Sequence, residues 1–121
     1  MKPLSPPFQT DGSKLVLAVG ADDDRDWPEP LRRCLEAHRV VHVPWGRLSA
    51  AFLGTLTPET VVTPLLGARF DALEVAAWFA EQGFAGRLVV VVGRRLPDAG
   101  LVQREISAAG GGLRVDLLAC D

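Results

Sequence analysis

The chain of 121 residues contains very little lysine, since only Lys2 and Lys14 accompany its arginines. Basic residues number 13 against 15 acidic ones, which gives a formal net charge of −2. A nucleic-acid-binding module usually carries a basic excess on one face, and no such excess is visible in this sequence. We therefore exclude nucleic acid as an expected partner and interpret the arginine bias as codon usage.

Long hydrophobic runs are also absent. The longest apolar stretches, residues 15–19 and 88–92, are far shorter than the roughly 20 residues that a membrane helix needs. The N-terminus carries Lys2 and several prolines but no apolar core of a signal peptide. We therefore expect a cytoplasmic protein with no membrane partner.

Cysteine and nucleotide-binding motifs are sparse. Cys34 and Cys120 are far apart and lack the CxxC spacing of a zinc site or a disulfide framework. Cys34 lies on the apolar stripe of a predicted helix and is expected to be buried, whereas Cys120 could be exposed. No GxGxxG or Walker A motif follows a strand. Dinucleotide, ATP, GTP and FMN binding are therefore disfavoured, and no cofactor is expected beyond the Mg²⁺ considered below.

The most informative segment is a strand–helix–strand unit. Residues 60–65 form a predicted strand, residues 71–82 a helix that stops at Gly83, and residues 88–92 an entirely apolar strand. A short crossover of this kind is the building block of a parallel sheet. With 48% hydrophobic residues, the chain can build a real core around such a sheet.

Similar patterns extend this unit to a whole domain, residues 14–121, preceded by an arm at residues 1–13 that we expect to be flexible. Strands and helices alternate with short connections, which favours right-handed crossovers and helices on both sides of the sheet. The predicted fold is a three-layer α/β sandwich of the flavodoxin-like type, with a five-stranded parallel sheet in the order 2-1-3-4-5. The predicted strands are residues 14–20, 40–43, 60–65, 88–92 and 113–118, and residues 45–56 favour a helix between the second and third.

One amphipathic assignment matters for the surface. In the helix at residues 71–82, the spacing of Leu73, Ala76, Ala77, Ala80 and the following Phe84 predicts the buried stripe. Asp71, followed three residues later by a glutamate, has the spacing of a capping box at the start of this helix.

Four segments carry a resemblance to a known family. Residues 22–26 together with 31–37 follow the opening of a receiver domain, residues 71–75 are similar to its Asp-Gly-Leu-Glu-Val helix start, and residues 86–91 are similar to its Gly-Pro-Val-Ile-Val-Leu strand. Over residues 15–94 the chain resembles the receiver domains of bacterial two-component response regulators. The resemblance implies a receiver-like fold and a role in bacterial signalling.

The resemblance also implies a phosphotransfer site, of which this chain keeps little. The phosphoacceptor aspartate corresponds to Pro64 with Thr63 beside it, and the Ser/Thr position on the fourth strand corresponds to Val92. No lysine follows Lys14 to occupy the last position. The chain is therefore expected to be a degenerate pseudo-receiver that cannot carry out Asp phosphotransfer and is more plausibly not an enzyme.

One element of the receiver site is retained, namely the acidic loop after the first strand. Asp22 and Asp23 match the acidic pair that holds Mg²⁺ in receivers, and Asp24 follows them. The alternative is a solvated loop that caps the next helix.

Arg94 and Arg95 follow the fourth strand and should lie at the same edge of the sheet. Arginine forks suit phosphate and carboxylate groups, so the pair could hold an anionic ligand, or else form ion pairs with the acidic loop. Together with Asp22–Asp24 and Thr63, they define an alternative function: a small-molecule-binding or anion-binding protein, or a minor enzyme.

Interaction residues are the remaining candidates. Trp45 follows Pro44 in a loop and could anchor a partner or cover the domain's own core. Trp78 lies off the predicted stripe, as an exposed partner-binding residue or as a partly buried flank. Leu101 and Arg104 lie on the outer side of the last predicted helix, where the resemblance implies pairing with partners.

The receiver pattern adds a helix after the fifth strand, and this sequence stops at Asp121. Without that helix, we expect an uncovered apolar face near Leu117 and Leu118. The N-terminal arm, a swapped element or a second subunit could cover it, which favours a homodimer over a monomer. The chain could equally be a fragment or a subunit of a larger assembly.

Overall fold

A computed structural model describes residues 15–20, 27–36, 38–67 and 69–120. The predicted arm at residues 1–13, the acidic residues Asp22–Asp24 and the side chain of Cys34 lie outside this description.

Five strands and four α-helices alternate along the described residues. The strands are β1 (Leu15–Val19), β2 (Arg39–Val43), β3 (Thr60–Pro64), β4 (Arg87–Val92) and β5 (Arg114–Ala119). The helices are α1 (Glu29–Leu35), α2 (Ala50–Leu56), α3 (Ala72–Glu81) and α4 (Ala99–Ala109), and a 3₁₀ turn covers Trp45–Arg47. All strand pairs are parallel, in the order β2-β1-β3-β4-β5, which confirms the predicted fold class and topology.

The central strands are buried on both faces, as their continuous apolar sequences predict. Val61 pairs with Leu88, and their side chains enter the larger core beneath α2, α3 and α4. Val62 pairs with Val89, and their side chains enter the smaller core on the opposite face. Since a one-residue shift would exchange the two faces, these pairs fix the register of β3 against β4.

The two faces of the sheet are covered unequally. The larger core is filled by three helices, whereas α1 is the helix that packs on the smaller core within the described residues. Leu118 is nonetheless buried in the smaller core, at 1% exposure, and Leu117 is half-buried on the other face. The expectation of an open apolar face at these two residues is therefore wrong.

Cys120 is also buried, at 4% exposure, contrary to the expectation that it could be exposed. Its backbone N–H donates to the carbonyl of Val92 over 2.8 Å, which extends the β4–β5 pairing beyond the last strand residue. The Cys120 side chain lies in the smaller core.

The buried stripe of α3 is shifted by one position from the predicted one, so that Ala76 alone belongs to both, and Ala77, Ala80 and Phe84 are half-buried. The buried residues are Ala72, Val75, Ala76 and Phe79, whereas Leu73 is 40% exposed. All residues of this helix except its two glutamates are apolar, so two neighbouring stripes are equally hydrophobic. Periodicity cannot choose between them, and the large ring of Phe79 fills the core instead.

Capping side chains set the helix starts. The Asp71 carboxylate accepts a hydrogen bond from the Glu74 N–H at 2.9 Å, as the capping spacing predicts. The Ser49 hydroxyl accepts from the Phe52 N–H at 3.1 Å and starts α2 there. The predicted helix at residues 45–56 is therefore divided into the 3₁₀ turn and a shorter α-helix. Gly83, with φ of 75°, follows α3 as the predicted stop signal.

Candidate functional site

The carboxyl ends of the strands form the edge where open α/β sheets bind ligands. Backbone hydrogen bonds hold this edge together just beyond the strand ends. The Gly20 N–H donates to the Val43 carbonyl at 2.8 Å, and the Leu65 N–H donates to the Val91 carbonyl at 3.0 Å. The chain segments that leave β1, β2, β3 and β4 therefore begin from a rigid common frame.

The ring of Phe70 fills the space above this frame. It is 9% exposed and lies against both Gly20, which follows β1, and Gly67, which follows β3. A Cβ atom at either glycine would overlap the ring, and Gly20 also has a φ of 92° that disfavours other residues. The two glycines thus allow an aromatic ring to close this part of the edge.

A tight loop presents Phe70 to the edge. Leu66 and Asp71 form an antiparallel bridge, the Gly67 N–H donates to the Phe70 carbonyl at 2.9 Å, and the Ala72 N–H donates to the Leu65 carbonyl at 2.9 Å. Within this loop Phe70 points into the core, while Leu66 is 76% exposed. The loop therefore turns one apolar side chain inward and another outward.

Trp45 and Trp78 continue the aromatic packing from Phe70. Trp45 stacks on Phe70 with ring centroids 5.6 Å apart, and Trp78 meets Trp45 edge-on at 6.4 Å. Trp78 in turn contacts Phe79 at 4.9 Å, and Phe79 contacts Phe84 at 5.3 Å. Both tryptophans are half-buried and pack against the larger core. Of the alternatives left open by the sequence, the core cover for Trp45 and the partly buried flank for Trp78 match this geometry.

Thr63 and Pro64 occupy the end of β3, where the resemblance places a phosphoacceptor. Thr63 has no exposed surface, and its hydroxyl donates to the Pro64 carbonyl at 3.1 Å. Pro64 is half-buried and offers no side-chain oxygen. Neither residue presents an oxygen nucleophile to solvent at the edge.

Arg94 and Arg95 lie in the turn after β4, and both are exposed. The Leu96 N–H donates to the Gly93 carbonyl at 3.2 Å and closes this turn. The acidic residues predicted to share a site with them, Asp22–Asp24, lie outside the described residues, so a joint Mg²⁺ or anion site stays a prediction.

Among the residues that the structure describes, no group of three or more His, Cys, Asp or Glu side chains could hold a metal ion. No helix in the same part of the chain is long and apolar enough to cross a membrane.

Leu101 and Arg104 are both exposed on α4, and Leu101 retains 48% of its surface. Ile106 faces the core, and Gln103 and Ser107 attach the helix to the end of the sheet. The Gln103 side-chain amide donates to the Val115 carbonyl at 2.6 Å, and the Ser107 hydroxyl donates to the Leu113 carbonyl at 2.8 Å. The outer face of α4 is therefore held rigidly toward solvent.

An apolar groove between α3 and α4 was not predicted from the sequence. We call it the α3–α4 groove; its volume is about 230 Å³. The predicted buried stripe of α3 places Leu73 in the core, and for this reason the sequence does not predict the groove that Leu73 lines. The lining residues are Leu65, Leu66, Asp71, Ala72, Leu73, Val102, Glu105 and Ile106.

Comparison with solved structures supports the receiver-like fold. The chain is similar to the signal receiver domain of the response regulator NarL from Mycobacterium tuberculosis, with a TM-score of 0.56 and 15% sequence identity. The similarity covers 90% of this chain and 86% of that one. No protein-family model matches the sequence, and no curated protein matches it. At this identity the similarity establishes a receiver-like, flavodoxin-like fold and nothing further.

Proposed function

We propose that the protein is a non-catalytic regulatory domain that acts by binding other proteins and cannot carry out Asp phosphotransfer. The observation that carries this proposal is the Phe70 ring, which lies against Gly20 and Gly67 at the edge where receiver chemistry would take place.

The end of β3 supports the proposal independently of the ring. An acyl phosphate requires a carboxylate, and Pro64 ends the strand without one. The hydroxyl of Thr63 is buried and already donates to a carbonyl. Val92, at the position of the phosphate-binding Ser or Thr, is 6% exposed and packs in the larger core. Pro64 and Val92 therefore offer apolar side chains, and the Thr63 hydroxyl is already hydrogen-bonded, at positions where phosphotransfer would need a carboxylate or a free hydroxyl.

With Phe70 packed over part of the edge, the outer surfaces of the domain become the main candidates for function. The α4 face that contains Leu101 and Arg104 is held rigidly by the bonds of Gln103 and Ser107 to the β5 region. We propose this face as the surface through which the domain forms a homodimer.

The phosphotransfer part of the proposal is tested with acetyl phosphate and Mg²⁺. The protein is incubated with both, and its intact mass is measured beside that of an active receiver domain treated identically. We expect the control to gain the mass of one phosphoryl group and this protein to gain none. A stoichiometric gain that hydroxylamine removes would identify an acyl phosphate and overturn the proposal.

A further inference from the structure

Two exposed leucines of this domain lie together beside the α3–α4 groove. Within the described ranges, the large hydrophobic residues that remain exposed are Leu66 (76%), Leu73 (40%) and Leu101 (48%). Leu66 and Leu73 line the α3–α4 groove, whereas Leu101 lies outside its lining, on the outer face of α4. Single exposed leucines are ordinary, but a cluster around an apolar groove indicates a binding surface.

The groove is preorganised. Leu66 is fixed by its bridge to Asp71 and by the hydrogen bond between the Ala72 N–H and the Leu65 carbonyl. Its outward position is therefore built into the backbone of the loop. A surface already ordered before binding loses less conformational entropy when a partner docks.

The size of the groove favours a protein segment over a small molecule. Its volume of about 230 Å³ lies below the ~300–1,000 Å³ that is typical of small-molecule pockets. A space of this size between two helices suits one or two apolar side chains from an amphipathic helix, which is a common mode of peptide recognition.

The charge of the groove favours a basic partner. Asp71 and Glu105 line it, and its lining contains no lysine or arginine. The nearest arginines in sequence, Arg69 and Arg104, are exposed but lie outside the lining. A two-fold symmetric pair of copies would place identical patches face to face, which would bring these carboxylates toward each other. Like charges across an interface are unfavourable, so a second copy is the poorer occupant.

We propose that the α3–α4 groove binds an amphipathic helix of another protein, whose apolar side chains enter between Leu66, Leu73 and Val102 and whose lysines or arginines face Asp71 and Glu105. This inference rests on the proposed function, because it assigns a partner chemistry to a domain that acts by binding. It places partner binding on the groove and leaves self-association to the outer face of α4.

The test uses two synthetic helical peptides with identical leucine spacing, one with lysine and one with glutamate at every polar position. Each is titrated into the isotopically labelled protein, and backbone amide shifts are followed by NMR. We expect the lysine peptide to shift the amides of Leu66, Leu73, Val102 and Glu105, and the glutamate peptide to leave them unchanged. Binding of the lysine peptide should also weaken with added salt, because exposed charges are screened.

Variants give the sharper readout. Leu66→Ser should weaken the lysine peptide about ten-fold or more, since burial of a leucine side chain accounts for at least that factor. Glu105→Gln should weaken it about two- to five-fold, the range for exposed ion pairs. Glu81→Gln, an equally exposed position at the far end of α3, is the matched control and should have no effect. Leu66 is largely exposed, so its replacement should leave the fold intact.

Several results would overturn the proposal. These are no binding of the lysine peptide at millimolar concentration, equal binding of both peptides, unchanged affinity of Leu66→Ser, or shifts confined to the outer face of α4. Loss of self-association in Leu66→Ser would show that a second copy is the occupant. The acetyl phosphate experiment is a separate readout: an acyl phosphate would overturn the proposed function, whereas failed peptide binding without phosphorylation would overturn this inference alone.

Discussion

The ring of Phe70 lies almost parallel to the indole of Trp45, with centroids 5.6 Å apart and an angle of 26° between the planes. Because Phe70 also contacts Gly20 and Gly67, a single side chain links the segments that follow β1, β2 and β3. Stacked aromatic pairs contribute about 0.5–1.5 kcal/mol beyond the area they bury. At this edge, the contact therefore adds side-chain packing to the backbone pairing of the strands.

Gly67→Ala tests the fit of the ring directly. The added Cβ would overlap the Phe70 ring, and overpacking of this kind costs about 1–3 kcal/mol of unfolding free energy. Gly46→Ala is the matched control, because a Cβ there meets nothing within 4 Å. We expect that control to stay within about 0.5 kcal/mol of the wild type in urea unfolding.

Urea unfolding can also show whether the Phe70 ring is the cause of the destabilisation by Gly67→Ala. In a Phe70→Leu background, the cost of Gly67→Ala should shrink, because contacting residues behave non-additively. Equal costs in both backgrounds would mean that the glycine is required for another reason.

At Thr57 we expect a substitution that raises the unfolding free energy rather than lowering it. It ends α2 with φ of 44°, a left-handed conformation that costs a β-branched residue about 1–2 kcal/mol. Thr57→Asn should therefore raise the unfolding free energy by about 1 kcal/mol, since asparagine tolerates this conformation. Thr55→Gly, inside the same helix, should lower it by roughly 0.5 kcal/mol, because glycine has a lower helix propensity than threonine. Thermal denaturation of both variants would check the contrast, and a stabilised Thr55→Gly would contradict the backbone argument.

Self-association through α4 is tested by the double variant Leu101→Ser with Arg104→Glu. If the outer face of α4 forms the homodimer, sedimentation velocity should show a dimer for the wild type and mainly monomer for the variant. Leu66→Ser serves as the control and should remain dimeric. A wild type that sediments as a monomer at high concentration would refute the dimer.

Ligand binding at the arginine turn is tested by thermal melting with Mg²⁺, phosphate and nucleotides. A ligand that binds the native state adds about 2.7 kcal/mol to the unfolding free energy at a hundred-fold excess over Kd, and the melting midpoint must therefore rise. We expect no shift at millimolar concentration. A shift that disappears in Arg94→Ala with Arg95→Ala would instead establish the alternative function at this edge.

The sequence predicted the strands and their order well for a physical reason. Strands such as Leu88–Val92 are uniformly apolar because both faces are covered, so their pattern leaves no competing interpretation. Single capping residues, such as Asp71 and Gly83, likewise act locally and can be read from the sequence.

The surface could not be predicted in the same way. On α3 the apolar residues surround the helix, and only packing against the sheet selects Val75 and Phe79 over Leu73. The position of Phe70 depends on Gly67 in its own loop and on the distant Gly20, and the contact with Gly20 spans the whole of β2 and β3. Such relationships between distant residues leave no periodic signal in a single sequence.

The strand order also has a consequence for the route by which the chain folds. From Thr60 to Ala119, each strand pairs with the next one along the sequence, β3 with β4 and β4 with β5. The N-terminal strand β1 also pairs with the next strand, β2. Its other partner is β3, however, and this pair is separated in sequence by the whole of β2 and α2. Because closing longer loops costs more entropy and slows folding, the C-terminal half should assemble first. We then expect the docking of β1, together with β2, onto the edge of β3 to be the last and rate-limiting step of folding.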